Sequence, residues 1–300
     1  MKKLILALLV PAFSISAMAQ KDFQAEAILS SDSGTINAWI LAATKTSIRY
    51  KKTAVSTDHT DGKINDFSLI YLKEPSAFSE AMDLFESRKY KTAQAKFAEY
   101  KEFSKPVETL KGNYSTLSAF YEMECMRKLG DYEGLSRALQ NFSKEPLVRD
   151  YHLRQLDLYV MWDAARTKAW DRLLSMAEER ANENLPDYQR AQVAYCKGLA
   201  LQNLKRPDEA LLAYNTAMTA DAGASEEIAQ EAIFNALRIY YDNEEVQTAL
   251  KAMGTEEQNK NSRGYTLLAQ ASSLAKLYDS LLKTGQPLPS DLRNFLKFES

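Results

Sequence analysis

The chain has 300 residues, with 38 Lys plus Arg against 40 Asp plus Glu, two Cys and two His. At 45% hydrophobic and 26% charged it can build a core, which excludes a wholly disordered chain, and ten Gly with eight Pro exclude a collagen-like one. A formal charge of −2 gives no general electrostatic footprint for nucleic acid, and two Cys with two His leave little for a disulfide framework or a histidine-rich metal site.

Residues 1–19 read as a signal peptide. Met1-Lys2-Lys3 is a short positive start, Leu4 to Phe13 an apolar run, and Ala17 and Ala19 are the small residues at −3 and −1 of a cleavage site. The run is too short to span about 30 Å of hydrocarbon comfortably, and no Cys follows it for lipid attachment. The signal resembles a bacterial Sec signal, which implies export: to the periplasm first, with the cell surface or secretion as alternatives. No later stretch has the roughly 18 uninterrupted apolar residues of a spanning helix, so no transmembrane segment is expected after cleavage.

Residues 20–74 are expected to form a small β module. Ala25 to Leu29, Thr35 to Ala42 and Thr46 to Tyr50 are rich in β-branched and apolar residues, and the polar turn Ser30–Gly34 separates the first two. The loop Ser56–Gly62 then leads to Ile64 and to Phe67–Leu72. Four or five short strands suit a small bent sheet or partly open barrel, and the spacing resembles that of small SH3-like barrels.

After Pro75 the pattern becomes helical and repeats itself. Phe85 to Phe97, Arg127 to Leu139, Trp170 to Ala177, Gly198 to Ala217 and a degenerate stretch from Glu245 to Met253 each read as a helix, a turn and a second helix. The turn anchors Tyr90, Tyr132, Trp170, Pro207 and Val246 lie 42, 38, 37 and 39 residues apart. Small residues recur where two helices would cross, with large ones between: Ala93 and Phe97 in the first unit, Gly198, Ala210, Tyr214 and Ala217 in the fourth. The pattern resembles the tetratricopeptide repeat family, although the spacing exceeds that family's usual 34 and the third and fifth units match poorly. The expected fold class is therefore mainly α, an α-solenoid of TPR-like helical hairpins over residues 75–262 behind the small SH3-like or bent-sheet β module. Residues 263–300 are expected to add two terminal capping helices, Tyr265–Lys283 and Pro289–Phe298.

The chemistry is sparse. His59 lies between Asp58 and Asp61 in a strand-connecting loop, and a solvated turn is the expected reading over a weak cation site. His152 starts a helix with no His or Cys at i+3 or i+4, so a polar surface position is expected. Arg49-Tyr-Lys-Lys52 reads as a solvated edge strand. Cys125 and Cys196 belong to the second and fourth units. With one hairpin between them they are not expected to pair, because stacked helices lie about 8–10 Å apart and a disulfide needs Cα atoms within about 7 Å. No nucleophile elbow, zinc-binding helix, Cys-x-x-Cys or phosphate loop is present, so no enzyme activity and no cofactor is expected.

Superposing the units on their turn anchors aligns Phe78, Phe120, Leu158, Tyr195 and Phe234 in the first helices. One turn on come Met82, Glu124, Trp162, Leu199 and Arg238, then Phe85, Arg127, Ala165, Gln202 and Tyr241. First helices line the concave face of tetratricopeptide proteins. The resemblance therefore implies a partner-binding groove of Phe120, Glu124, Arg127, Trp162, Arg166, Tyr195, Arg238 and Tyr241; the alternative is that the column is core between repeats. The expected function is a non-catalytic adaptor of the cell envelope that binds another envelope or secreted protein or peptide, and not nucleic acid. The alternative is a glycan- or solute-binding accessory protein that stacks sugars on the aromatics.

Overall fold

A computed structural model describes residues 22–221, 223, 225–282 and 287–298; the expected signal peptide lies outside them. Five antiparallel strands come first: β1 (Ala25–Ser31), β2 (Gly34–Ala43), β3 (Ser47–Lys51), β4 (Thr60–Lys63) and β5 (Leu69–Leu72). Their order is β4-β3-β2-β1-β5, so the last strand returns beside the first. Alternation sends Ala27, Leu29, Ala38, Ile40, Ile48, Tyr50 and Leu72 to one buried face. A register shift between Ile40 and Ala42 marks a bulge in β2, the device that bends a strand.

Two details differ from the sequence reading. The end of the expected loop Ser56–Gly62 belongs to a strand, Thr60–Lys63, while Ile64 opens a 3-10 turn, Ile64–Asp66. β4 carries no apolar alternation, so nothing local announces it. Pairing with β3 recruits it, and Arg49 binds Asp61 across that pair through Nε (2.8 Å) and Nη2 (3.2 Å).

The rest of the chain is helical: α1 (Ser76–Glu86), α2 (Tyr90–Phe103), α3 (Tyr114–Lys128), α4 (Tyr132–Gln140), α5 (Asp150–Arg166), α6 (Trp170–Ala181), α7 (Asp187–Asn203), α8 (Pro207–Ala220), α9 (Glu226–Tyr241), α10 (Glu244–Ala252) and α11 (Arg263–Leu277). The sheet docks on the connection between α2 and α3, where Val107 and Leu110 complete its core. Buried Asn113 fixes that connection, donating to the carbonyls of Glu108 and Leu110 and accepting from the Thr116 amide at the start of α3.

Neighbouring helices pack pairwise along the chain, and α1 also meets α3, α5 meets α7, α7 meets α9, and α9 meets α11. One turn geometry recurs between members of a pair. Arg88, Gly130, Lys168 and Lys205 all have left-handed φ, between 58° and 73°. At each, the following amide reaches back five residues (Lys89 to Leu84, Asp131 to Met126, Ala169 to Ala164, Arg206 to Leu201), the long bond of a Schellman C-cap. Where the pair α7 and α8 cross, Gly198 lies against the ring of fully buried Tyr214, and a Cβ on Gly198 would stand 2.5 Å from it.

The tail departs from two α-helices. α11 ends in a π-helical turn, Tyr278–Leu282, and the last segment is a 3-10 helix, Leu292–Lys297. The side-chain spacing explains the tighter helix. Leu292, Phe295 and Phe298 are all buried, and three residues per turn put them on one face. Ser272 and Lys276 of α11 both donate to the Phe298 carbonyl and hold that face down.

Candidate functional site: an aromatic cleft on the odd-numbered helices

A cleft of about 320 Å³ opens where α1, α3, α5, α7 and the start of α9 converge. Half-buried Phe85, Tyr121, Tyr151 and Tyr188 wall it, one from each of the first four odd-numbered helices. Buried Phe120, Glu124, Arg127 and Gln155 form its floor, with Lys128 and Ser225 at the α9 side. Phe85 and Tyr121 meet edge to face at 5.5 Å, as do Phe120 and Tyr121 at 5.3 Å.

The floor holds a closed network of charges. Arg127 donates from Nε to both Glu124 oxygens (3.1 Å each) and from Nη2 to Glu124 (2.6 Å) and Glu227 (3.2 Å). Lys128 reaches the same Glu227 oxygen at 2.9 Å, and Tyr159 donates to Glu124 at 2.7 Å. Burial opposes the Arg127 charge, but Glu124 and then Glu227 outweigh it and hold the guanidinium above its ordinary value. Burial likewise pushes the Glu227 carboxyl up, and Arg127 and Lys128 bring it below its ordinary range. Desolvation with the nearby Tyr151 phenol raises Tyr121, and desolvation with the Glu124 charge raises Tyr188, so both phenols stay protonated at neutral pH.

Beneath the charges lies an amide layer. Gln155 and Gln192, 37 residues apart, exchange hydrogen bonds at 2.9 and 3.1 Å, and Trp162 donates to Gln192 at 2.9 Å. The Trp162 ring also stacks on Tyr132 at 4.9 Å and lies 6.0 Å from the Arg127 guanidinium. Above them, Arg88 pairs with Glu226 and donates to the Gly223 carbonyl at 2.8 Å. These contacts join the turn after α1 and the end of α3 to the start of α9. The odd-numbered face is thus bridged at this end, and the cleft stays open beside the bridge.

The eight expected groove residues separate into three settings. Phe120, Glu124 and Arg127 line the cleft floor. Trp162 and Tyr195 are also buried, at 2% and 7% exposure, but do not line the cleft, and Tyr195 accepts from Asn235. Their place in an open groove is therefore corrected: the inward faces of α5, α7 and α9 pack on one another. Arg166 and Arg238 are exposed and away from the cleft; Arg166 binds Asp163 and Glu133 at 2.8 Å each. Tyr241 packs toward Phe295 of the tail.

His152 also requires correction, since it is 2% exposed rather than on the surface. It sits against Tyr151 (4.1 Å between rings) and Phe120 (4.4 Å), and neither ring nitrogen has a hydrogen-bond partner. The cleft residues missed in the sequence are Tyr121, Lys128, Tyr151, Gln155, Tyr188 and Ser225. A signal existed for three of them: Tyr114, Tyr151 and Tyr188 recur at the 37-residue interval that also separates Gln155 from Gln192.

Other candidates carry less. Asp61, beside exposed His59, is engaged by Arg49, and among the described residues no three His, Cys, Asp or Glu side chains are grouped to hold a metal. Cys125 and Cys196 are free and buried, and burial pushes both thiols up to about 12, far from a reactive thiolate. A larger hollow of about 990 Å³ beside α3 and α4 is rimmed by lysines and glutamates that mostly pair with each other, such as Lys101 with Glu122 at 2.9 Å. Among the described residues no helix is long and apolar enough to cross a membrane. No protein-family model, no curated protein and no solved structure matches the chain.

Proposed function

We propose that this chain is an exported, non-catalytic binding scaffold whose helical region is a TPR-like solenoid, and that the aromatic cleft is where it takes hold of a protein partner. Support for the solenoid comes from the recurring left-handed turn at Arg88, Gly130, Lys168 and Lys205, and from odd-numbered helices that share one inward face. The β module is read as a small SH3-like barrel. Five antiparallel strands, a bulged β2 and a last strand returning beside the first support it.

One observation carries the functional reading: four aromatic side chains from four successive odd-numbered helices converge on one recess. Aromatic side chains are costly to leave half-exposed, and clusters of them with Arg dominate protein interfaces. The test is a photo-crosslinking residue placed at Tyr188 of the full chain in producing cells, with the exposed α2 position Lys91 as control. Discrete adducts from 188 and none from 91 are expected. Absence of adducts from both 188 and a second cleft position, 151, overturns the reading.

A further inference from the structure

The polar groups of the cleft floor are already committed. Glu124 accepts from Arg127 and Tyr159, Arg127 and Lys128 share Glu227, and Gln155 is bonded reciprocally to Gln192. A ligand rich in hydroxyls would bury them there against groups whose main hydrogen-bond partners are already taken, at a cost for each. A large apolar or aromatic side chain meets no such penalty, and a recess of about 320 Å³ suits one such side chain with part of its backbone.

The mouth of the cleft is different. Two guanidinium groups stand on the α5 side, and neither has a carboxylate partner among the described residues. Arg149 is exposed, donates from Nη1 to the Tyr151 hydroxyl at 3.0 Å and lies 5.9 Å over that ring. Arg154 follows Tyr151 by one helical turn, on the face of α5 that Gln155 shares, and its charge bears on the Tyr188 phenol. Its Nε is buried with no hydrogen-bond partner. In a chain of net charge −2, where the other cations of the cleft are paired with carboxylates, two guanidinium groups with no carboxylate partner among the described residues are a local excess of positive charge beside the aromatic walls.

We infer that the cleft recognises an acidic segment of a partner protein, one that inserts an aromatic side chain between Tyr121, Tyr151 and Tyr188 while flanking carboxylates pair with Arg149 and Arg154. This rests on the scaffold reading and adds the chemistry of its partner. Arginine supports both halves of the contact, pairing with carboxylates in two-point geometry and stacking on aromatic faces. Charge at the rim acts chiefly on encounter rate and choice of partner, and the aromatic anchor on residence.

The experiment is fluorescence anisotropy on the full chain, using short labelled peptides blocked at both ends. One carries Phe flanked by Glu, one Ala flanked by Glu, and one Phe flanked by Lys. The Glu-flanked Phe peptide is expected to bind roughly ten-fold or more tightly than either control, and to weaken as salt rises. Arg149→Gln with Arg154→Gln is expected to abolish the preference for Glu over Lys without changing the melting temperature. Tyr188→Ala is expected to remove the preference for Phe over Ala. Equal binding of the two Phe peptides overturns the inference. So does no binding of any peptide up to about 1 mM, or competition by a neutral N-acetylglucosamine oligomer. Crosslinks from position 188 without peptide discrimination leave the scaffold reading standing and remove only this assignment of partner.

Discussion

The α7–α8 pair and the floor of the cleft solve the same packing problem by opposite means. Between α7 and α8 the helices close by removing side chain: Gly198 admits the Tyr214 ring, and Ala200, Ala210, Ala213 and Ala217 are buried around it. Across α3, α5 and α9 the gap is wider and is filled with charge: Arg127, Glu124, Glu227, Lys128 and the Tyr159 hydroxyl. Close apolar packing fixes how two adjacent helices lie. A bonded polar network fixes how distant helices face each other, because its members satisfy one another in only one arrangement. The first kind builds a hairpin. The second closes the inner face and leaves one aromatic recess open.

The largest effect should come from breaking the charged floor. Arg127→Met leaves Glu124 and Glu227 short of a partner in a buried site, and a loss of about 3–5 kcal/mol in urea unfolding is expected. Glu124→Leu and Tyr159→Phe added to Arg127→Met should recover at least half of it, since no hydroxyl is then left without its acceptor and Lys128 still serves Glu227. A loss of about 1 kcal/mol or less from Arg127→Met alone would place the pair among ordinary surface contacts and undo the comparison. On the other side, Gly198→Ala should cost about 1–3 kcal/mol by overpacking, and less once Tyr214→Leu makes room. If the two substitutions simply add, the close crossing is not what Gly198 provides.

His152 gives the comparison a pH dependence. Burial first, and then the Arg149 charge, lower its pKa from the ordinary 6.5 to about 4. The unfolded chain therefore binds more protons than the folded one between those values, so stability must fall as pH drops through that window. The expected loss from this ring between pH 7 and pH 5 is about 2 kcal/mol. Because neither ring nitrogen is bonded, His152→Phe should change stability at pH 7 by less than about 1.5 kcal/mol and flatten the acid slope. An unchanged slope would mean that the ring is hydrated in solution.

Short-range order was legible in the sequence and long-range closure was not. Strand alternation at Ala27 and Leu29, the hairpins around Tyr90 and Tyr132, and the aligned positions of Phe120, Glu124 and Arg127 all follow from periods of two, of three to four, and of one repeat. β4 escaped because Thr60-Asp-Gly-Lys63 has no apolar period, and the last helix because i+3 spacing was read as α. The column is legible in the sequence, but whether it forms an open groove or core between repeats is not. Whether it faces solvent depends on curvature, a sum of small rotations from one hairpin to the next, and on contacts such as Arg127 with Glu227, 100 residues apart. No local window contains that. Tyr151 and Tyr188 were within reach, since their 37-residue interval lies within the range of the repeat spacing.

The smallest prediction has the opposite sign. Lys168 occupies the turn between α5 and α6 with φ 58°, the place that Gly130, with φ 73°, holds between α3 and α4. The left-handed region costs a non-Gly residue about 1–2 kcal/mol, partly offset by the greater freedom of Gly in the unfolded chain. Lys168 is exposed, so little packing is lost with its side chain. Lys168→Gly should therefore raise stability by about 0.5–1 kcal/mol, and Gly130→Lys should lower it by a similar amount. Paired shifts of opposite sign in thermal unfolding would show that both turns obey one backbone rule, whichever kind of interior they serve. A destabilised Lys168→Gly would mean that this turn is set by its side chain and that the four turns do not form one class.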